Sequence, residues 1–307
     1  MSDSVDWQLA ARVGVGLVRP GPKLTPSQRS ACVARLREAA QRSVELVALA
    51  SRLPGEVTGG TTLVVDRPGI VRANATVLNM AMQQVDGPEH LGPMVARITG
   101  GGAGVILAFI ATNVLGQYEP FTDRLLLSAP SIEAVRAAID AEPNDFALWV
   151  CLHEQTHHQQ FAAAPWLRDY LLGLMRRFLE TQSGELGGAA KNPVMSEITA
   201  VMSLLEGYAD MLMDMAGASA IGSLRSIRAS IDQRRQPSGR NLKGLVGQVF
   251  GLATKVNQYV EGKAFCQAVC NQVGLDGLNQ AFSSPQALPT VGELRDPNAW
   301  VARLGQG

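Results

Sequence analysis

Apolar residues recur at helical spacing along most of the chain, in blocks punctuated by proline and glycine. Residues 5–18 predict a short helix stopped by Arg19-Pro20-Gly21-Pro22. Thr25-Pro26-Ser27-Gln28 supplies an N-cap with proline at the first helical position, opening a helix to about Leu53, where Pro54-Gly55 ends it. Thr61–Val65 is a β-branched run that reads as a strand, and Asp66-Arg67-Pro68 caps a helix through about Val85. A further helix is expected over Glu89–Ile98. Gly100–Gly104, a glycine-rich stretch ordinarily explained by close helix packing or a flexible connection, leads into an apolar run, Val105–Leu115, expected to be a buried helix. Gly116–Phe121 follows as a loop, Arg124–Ser128 as a second strand and Ser131–Ala141 as a helix. Glu142-Pro143-Asn144-Asp145 then turns the chain into a helix from about Asp145 to Ala163, before Pro165.

In the second half, Pro193–Ala216 is apolar on nearly all sides, the pattern of a buried helix, with Asn192 placed to cap it. Leu242–Val273 predicts a helix interrupted near Gly262, and Ala299–Leu304 a short closing one. The expected class is therefore mainly α, with at most a few short strands. No linker or low-complexity stretch divides the chain, so residues 1–307 are expected to form one domain, at most split into lobes 1–120 and 121–307.

Composition narrows the partners. Lys plus Arg and Asp plus Glu both total 27 in 307 residues, so no global field draws the chain to nucleic acid or an anionic membrane. A basic segment (Arg225, Arg228, Arg234, Arg235, Arg240 and Lys243) reads as a solvated helix face and a loop at Gln236-Pro237-Ser238-Gly239, the alternative being a docking surface for an acidic partner or a substrate carboxylate. The start, MSDSVDWQLAARVG, lacks a basic region followed by an apolar core, which points to a cytoplasmic protein. Four cysteines are too few for a disulfide framework in a chain of this length and are expected to be free thiols. Gly100–Gly104 lacks the GK[ST] ending of a phosphate loop.

Chemistry concentrates at His153-Glu154-Gln155-Thr156-His157, an HExxH sequence holding two of the protein's 4 histidines; His158 follows directly. Residues four apart share a helix face, so His153 and His157 can grip one metal ion, with Glu154 beside it as a general base. His158 points off that face and is expected at the surface or behind the ligands. A catalytic zinc takes three protein ligands and keeps one position open. No histidine follows residue 158, so the third ligand must be a carboxylate.

Glu206 is the candidate, in Glu206-Gly207-Tyr208-Ala209-Asp210 on the apolar helix. Carboxylates among apolar residues are costly unless paired or coordinated. Asp210, one turn on, is placed to accept the ring N–H of a ligand histidine, His153 above all. Glu197 is the alternative ligand, although an acidic residue near a helix start has a dipole reason to be there. Leu125–Leu127 is the candidate edge strand for a peptide substrate. Tyr118, Tyr208 and arginines are the candidates for stabilising an oxyanion.

The segments Asp145–Glu154, Pro165–Arg168 and Glu206–Asp210, with VVDRP at 64–68, VLGQYEPF at 114–121 and the closing DPNAWVARL, resemble a bacterial zincin-like family of hydrolases or zinc-dependent metalloproteases. That family is named for an association with biosynthesis of the deazaflavin coenzyme F-420. The resemblance implies a mostly helical zincin-like fold with HExxH on one helix and EGxAD on a second, and carries over to His153, Glu154, His157, Glu206 and Asp210. Tyr208 departs from the histidine common there in the family, and no role is assigned to it. The expected activity is hydrolysis of a peptide or small amide by zinc-activated water, with Glu154 as base. The competing expectation is a non-catalytic, metal-stabilised scaffold linked to deazaflavin-coenzyme metabolism.

Overall fold

The computed structural model describes residues 5–55, 60–84, 100–182, 193–235 and 257–305. Caps written in the sequence start the first helices. The Asp6 carboxylate accepts the Leu9 N–H ahead of α1 (Trp7–Leu17). Thr25 and Gln28 satisfy each other's main-chain N–H groups at the start of α2 (Pro26–Ser51). Next come β1 (Thr61–Val65), α3 (Arg67–Gln84), α4 (Gly100–Asn113), β2 (Gly116–Glu119), β3 (Arg124–Ser128) and α5 (Ala129–Ala138). The Glu142 carboxylate caps α6 (Pro143–Ala163), with Pro143 at its first turn. Then follow α7 (Leu167–Gln182), α8 (Pro193–Gly217), α9 (Leu224–Arg235), α10 (Asn257–Asn279), α11 (Val291–Arg295) and α12 (Pro297–Leu304).

The sheet has the order β1-β3-β2, with β1 parallel and β2 antiparallel to β3. Successive side chains of a strand point to opposite faces, and β3 uses this to serve two cores. Leu125 and Leu127 join the larger cluster, built from α2, α6, α8, α10 and the closing segment, which buries Trp300 and Phe265. Leu126 joins a smaller one with Ile70, Val71 and Leu107 from α3 and α4. Among the described residues, no helix is long and apolar enough to cross a membrane. All four cysteines are free thiols.

The mainly helical class holds, and the departures are local. The expected edge strand at Leu125–Leu127 is the central strand instead; the edge beside α6 is β2, inside the segment expected to be a loop. The glycines at 100–104 lie within α4, and close packing on α1 requires one of them, Gly104, whereas a Cβ on Gly102 would meet open space. A Cβ on Gly104 would stand 2.7 Å from the Ala10 carbonyl oxygen. α4 is also not buried all round, since Val105, Ile106 and Phe109 are exposed. Gly262 does not interrupt its helix; the non-helical residue there is Gly274, at φ 76°. The helix expected over Glu89–Ile98, the cap at Asn192, the loop at 236–239, the side chains of Arg234, Arg235, Arg240 and Lys243, and the first part of the helix expected from Leu242 lie outside the described residues.

Candidate metal centre

Two helices meet at the site. The first half of α6, Phe146–Leu152, is entirely buried and anchors the helix in the larger core. Its second half turns polar yet stays largely buried, and several of its polar groups find partners, although Gln155 Nε2 has none. Gln159 donates to the carbonyls of Pro54 and Gly55, and Thr156 to that of Leu152. The second helix, α8, buries Leu204, Leu205, Tyr208, Ala209 and Leu212. It crosses α10 so closely that a Cβ on Gly207 would lie 2.2 Å from the Gly262 carbonyl carbon. Glycine at both positions lets the backbones touch and thereby sets the depth at which Glu206 stands.

Position by position, the chain brings together His153, His157 and Glu206. The Nε2 atoms of the two histidines are 3.2 Å apart. Glu206 offers one oxygen to each: Oε2 lies 3.3 Å from His153 and Oε1 3.6 Å from His157. A tetrahedron with metal–ligand bonds of about 2.0–2.1 Å has edges of about 3.3–3.4 Å, and the contacts that the two ring nitrogens make with each other and with the two oxygens of the Glu206 carboxylate are close to that spacing. Among the described residues, this is the one group of three or more His, Cys, Asp or Glu side chains so disposed. The donor set of two imidazoles and a carboxylate suits zinc and leaves the fourth vertex open. Glu197, the alternative ligand, instead forms a bidentate pair with Arg177.

The charges around the centre follow from burial and proximity. Burial alone would raise the Glu206 carboxyl, but the charge of His157 and the hydrogen bond and charge of His153 together outweigh it and bring it down to about 2. Burial also works against a charged His153, and the hydrogen bond and charge of Glu206, with the charges of Glu154 and Asp210, together outweigh this, so its pKa rises. At His157 burial prevails, and its pKa falls.

Glu154 faces the other way, toward β2. Burial pushes its carboxyl up to about 7, against the opposing charge of His153 and a hydrogen bond from the Tyr118 main chain. Antiparallel pairing alternates inward and outward main-chain groups. Since Ser128 donates to Leu115 across that pair, Gln117 and Glu119 face β3, while Gly116 and Tyr118 turn their main-chain groups outward. Gly116 is packed directly on Glu154: a Cβ there would lie 2.7 Å from its Cγ.

Asp210 stands one turn beyond Glu206 and raises the pKa of both His153 and Glu206 by its charge. Its carboxylate is held by Arg228 and Lys263, which also bind Asp214. Arg228 was expected on a solvated face. It is largely buried instead, its guanidinium 5.6 Å from the Trp149 ring centroid. His158 is likewise buried rather than at the surface. Its Nε2 lies 2.9 Å from Asp123 Oδ1 and its ring stacks on Tyr118 at 4.6 Å. Tyr118 gives its hydroxyl to the same Asp123 oxygen. Tyr208 is fully buried, and its hydroxyl donates to Asn279 Oδ1 at 2.9 Å, with the Ser51 carbonyl 3.4 Å away. Two residues at the site escaped the sequence reading. Gln160 bonds His157, and its spacing could have disclosed it, because 153, 157 and 160 share one helix face. Gly116 carried no such signal, since its role is to leave space.

The sequence profile of the zincin-like metallopeptidases matches residues 5–192 and 187–301. A chain from Chloroflexus aurantiacus, whose crystal structure is described as that of "a putative hydrolase with a novel fold", is 28% identical, with a TM-score of 0.78 over 99% of both chains. No curated protein matches. Neither comparison carries the association with deazaflavin-coenzyme biosynthesis. The family implies a divalent metal, typically zinc, and supports a zinc-dependent hydrolase in general; with its profile spanning nearly the whole length, this chain belongs to the zincin-like metallopeptidases.

Proposed function

We propose that this chain is a zinc peptidase that hydrolyses a peptide or amide bond, with His153, His157 and Glu206 as ligands and Glu154 as general base. The observation that carries this reading is the convergence, from two helices, of two histidine nitrogens and both oxygens of one carboxylate at 3.2–3.6 Å, with Glu154, its carboxyl pushed up to about 7 by burial, next to His153 in the chain. When bound, zinc supplies Lewis acidity, which lowers the pKa of water and polarises a carbonyl. Glu154 receives the proton on its carboxylate and returns it to the leaving amine, a task for which a pKa near the working pH is best. The Tyr118 N–H orients that carboxylate. Asp210 supports the ligands from behind, its negative charge balanced by Arg228 and Lys263.

The outward edge of β2 favours a peptide over other amides. An extended substrate can pair with the outward main-chain groups of Gly116 and with the Tyr118 carbonyl, the Tyr118 N–H being given to Glu154, as peptides do at sheet edges. The test is metal analysis of purified wild type and Glu154→Gln, followed by digestion of a peptide library. About one zinc per chain is expected in both proteins, with cleavage in wild type alone. Cleavage undiminished in Glu154→Gln would sink the assignment of the base.

A further inference from the structure

The ligand face of α6 carries one more polar side chain. Gln160 follows His153 and His157 along that face and is completely buried. Its Oε1 lies 2.9 Å from His157 Nδ1, and its Nε2 donates at 3.0 Å to the main-chain oxygen of Leu205, the residue before Glu206. Each link in this chain runs in one direction only. A carbonyl oxygen accepts and cannot donate, so the amide nitrogen must face Leu205 and the amide oxygen must face His157. That oxygen in turn accepts only, so the proton of a neutral His157 sits on Nδ1. Its Nε2 is left with a lone pair, aimed where His153 and Glu206 also converge.

We infer that Gln160 is a positioning residue: it sets the metal-binding tautomer of His157 and ties that ring to the helix bearing Glu206. The inference rests on the metal-centre reading above and extends it to a residue outside the HExxH and EGxAD motifs. Packing alone does not account for an amide here. A buried amide is costly unless its hydrogen bonds are made, and an apolar side chain would fill the same space without that requirement. Partners on the far nitrogen of ligand histidines are commonly worth 10- to 100-fold in metal affinity.

Zinc affinity by chelator competition, in wild type, Gln160→Met and Gln160→Glu, tests this, with the thermal midpoint of each metal-free protein as control. Methionine keeps the volume and removes the acceptor. Glutamate keeps an acceptor for His157 but loses the donor to Leu205 and buries a charge. A packing role makes glutamate the worse substitution, whereas a positioning role makes methionine worse for zinc. The expected result is roughly 10- to 100-fold weaker zinc binding in Gln160→Met, at a metal-free midpoint close to wild type, and recovery of most of that loss in Gln160→Glu. Wild-type affinity in Gln160→Met overturns the inference and leaves the metal site standing. Ring nitrogen-15 shifts of metal-free wild type decide the point without any variant: Nδ1–H on neutral His157 supports it and Nε2–H overturns it. If wild type binds no zinc, the metal-centre reading falls, and the ring shifts still report on the tautomer.

Discussion

The two working faces of α6 are built from different materials. Toward α8, His153, His157 and Gln160 meet Glu206 and the Leu205 carbonyl, and nearly every contact is made by a side chain. Toward β2, Glu154 meets the main chain of Tyr118 and the bare α-carbon of Gly116, while His158 and Phe161 hold the Tyr118 ring. One face recognises by functional groups, the other by backbone position. It follows that substitutions on the α8 side should act on metal, and those on the β2 side on the base or on the strand's hold, with little exchange between them.

The largest effect is expected at Glu206. Glu206→Ala leaves two histidines, fewer than the three protein ligands of catalytic zinc sites. Zinc content after dialysis should fall from about one per chain to near zero, and all hydrolysis should go with it. Full retention of zinc would move the third ligand elsewhere and dissolve the contrast. Next comes Glu154→Gln, which should retain zinc while kcat/KM falls by roughly 10²- to 10⁴-fold, the usual worth of a positioned general base. Loss of zinc in that variant would mean that the base face also holds the metal.

The same contrast explains what the sequence disclosed. His153, His157, Glu206 and their spacing are side-chain facts, and the apolar stretch around Glu206 made a buried carboxylate legible as one needing a partner. The β2 face is written in backbone terms. Nothing in Gly116-Gln117-Tyr118-Glu119 alternates like a strand, so its pattern predicts a loop and leaves β3, with three leucines, as the strand beside the site, whereas β3 is central and β2 is the edge. Arg228 was misplaced for a related reason. A cluster of arginines looks solvated until the fold supplies the carboxylates, and Asp210 and Asp214 come from another helix. Gly207 and Gly262 are 55 residues apart (262 − 207) and only the crossing of α8 with α10 gives them a shared reason.

A smaller effect separates space from chemistry on the β2 face. Gly116→Ala places a methyl against Glu154, whose carboxylate is buried and cannot simply swing into solvent. Displacing a catalytic group by about an ångström costs up to about a hundredfold, so activity should drop roughly ten- to a hundredfold with zinc content unchanged. An alanine variant as active as wild type would show that the base tolerates a looser seat.

The smallest effect is expected at Tyr118, and it is the sharpest check on the division. Tyr118→Phe removes the hydroxyl bond to Asp123 but keeps the ring between His158 and Phe161, and Asp123 keeps its contact with His158. One partly exposed hydrogen bond is worth about 1 kcal/mol, or a thermal shift of about 2 °C in a chain of this size. Activity should stay within about twofold of wild type, since the group that Glu154 uses is the main-chain N–H, which phenylalanine retains. A large fall in kcat with zinc and stability intact would place the Tyr118 hydroxyl in the chemistry and move part of the β2 face from backbone to side-chain recognition.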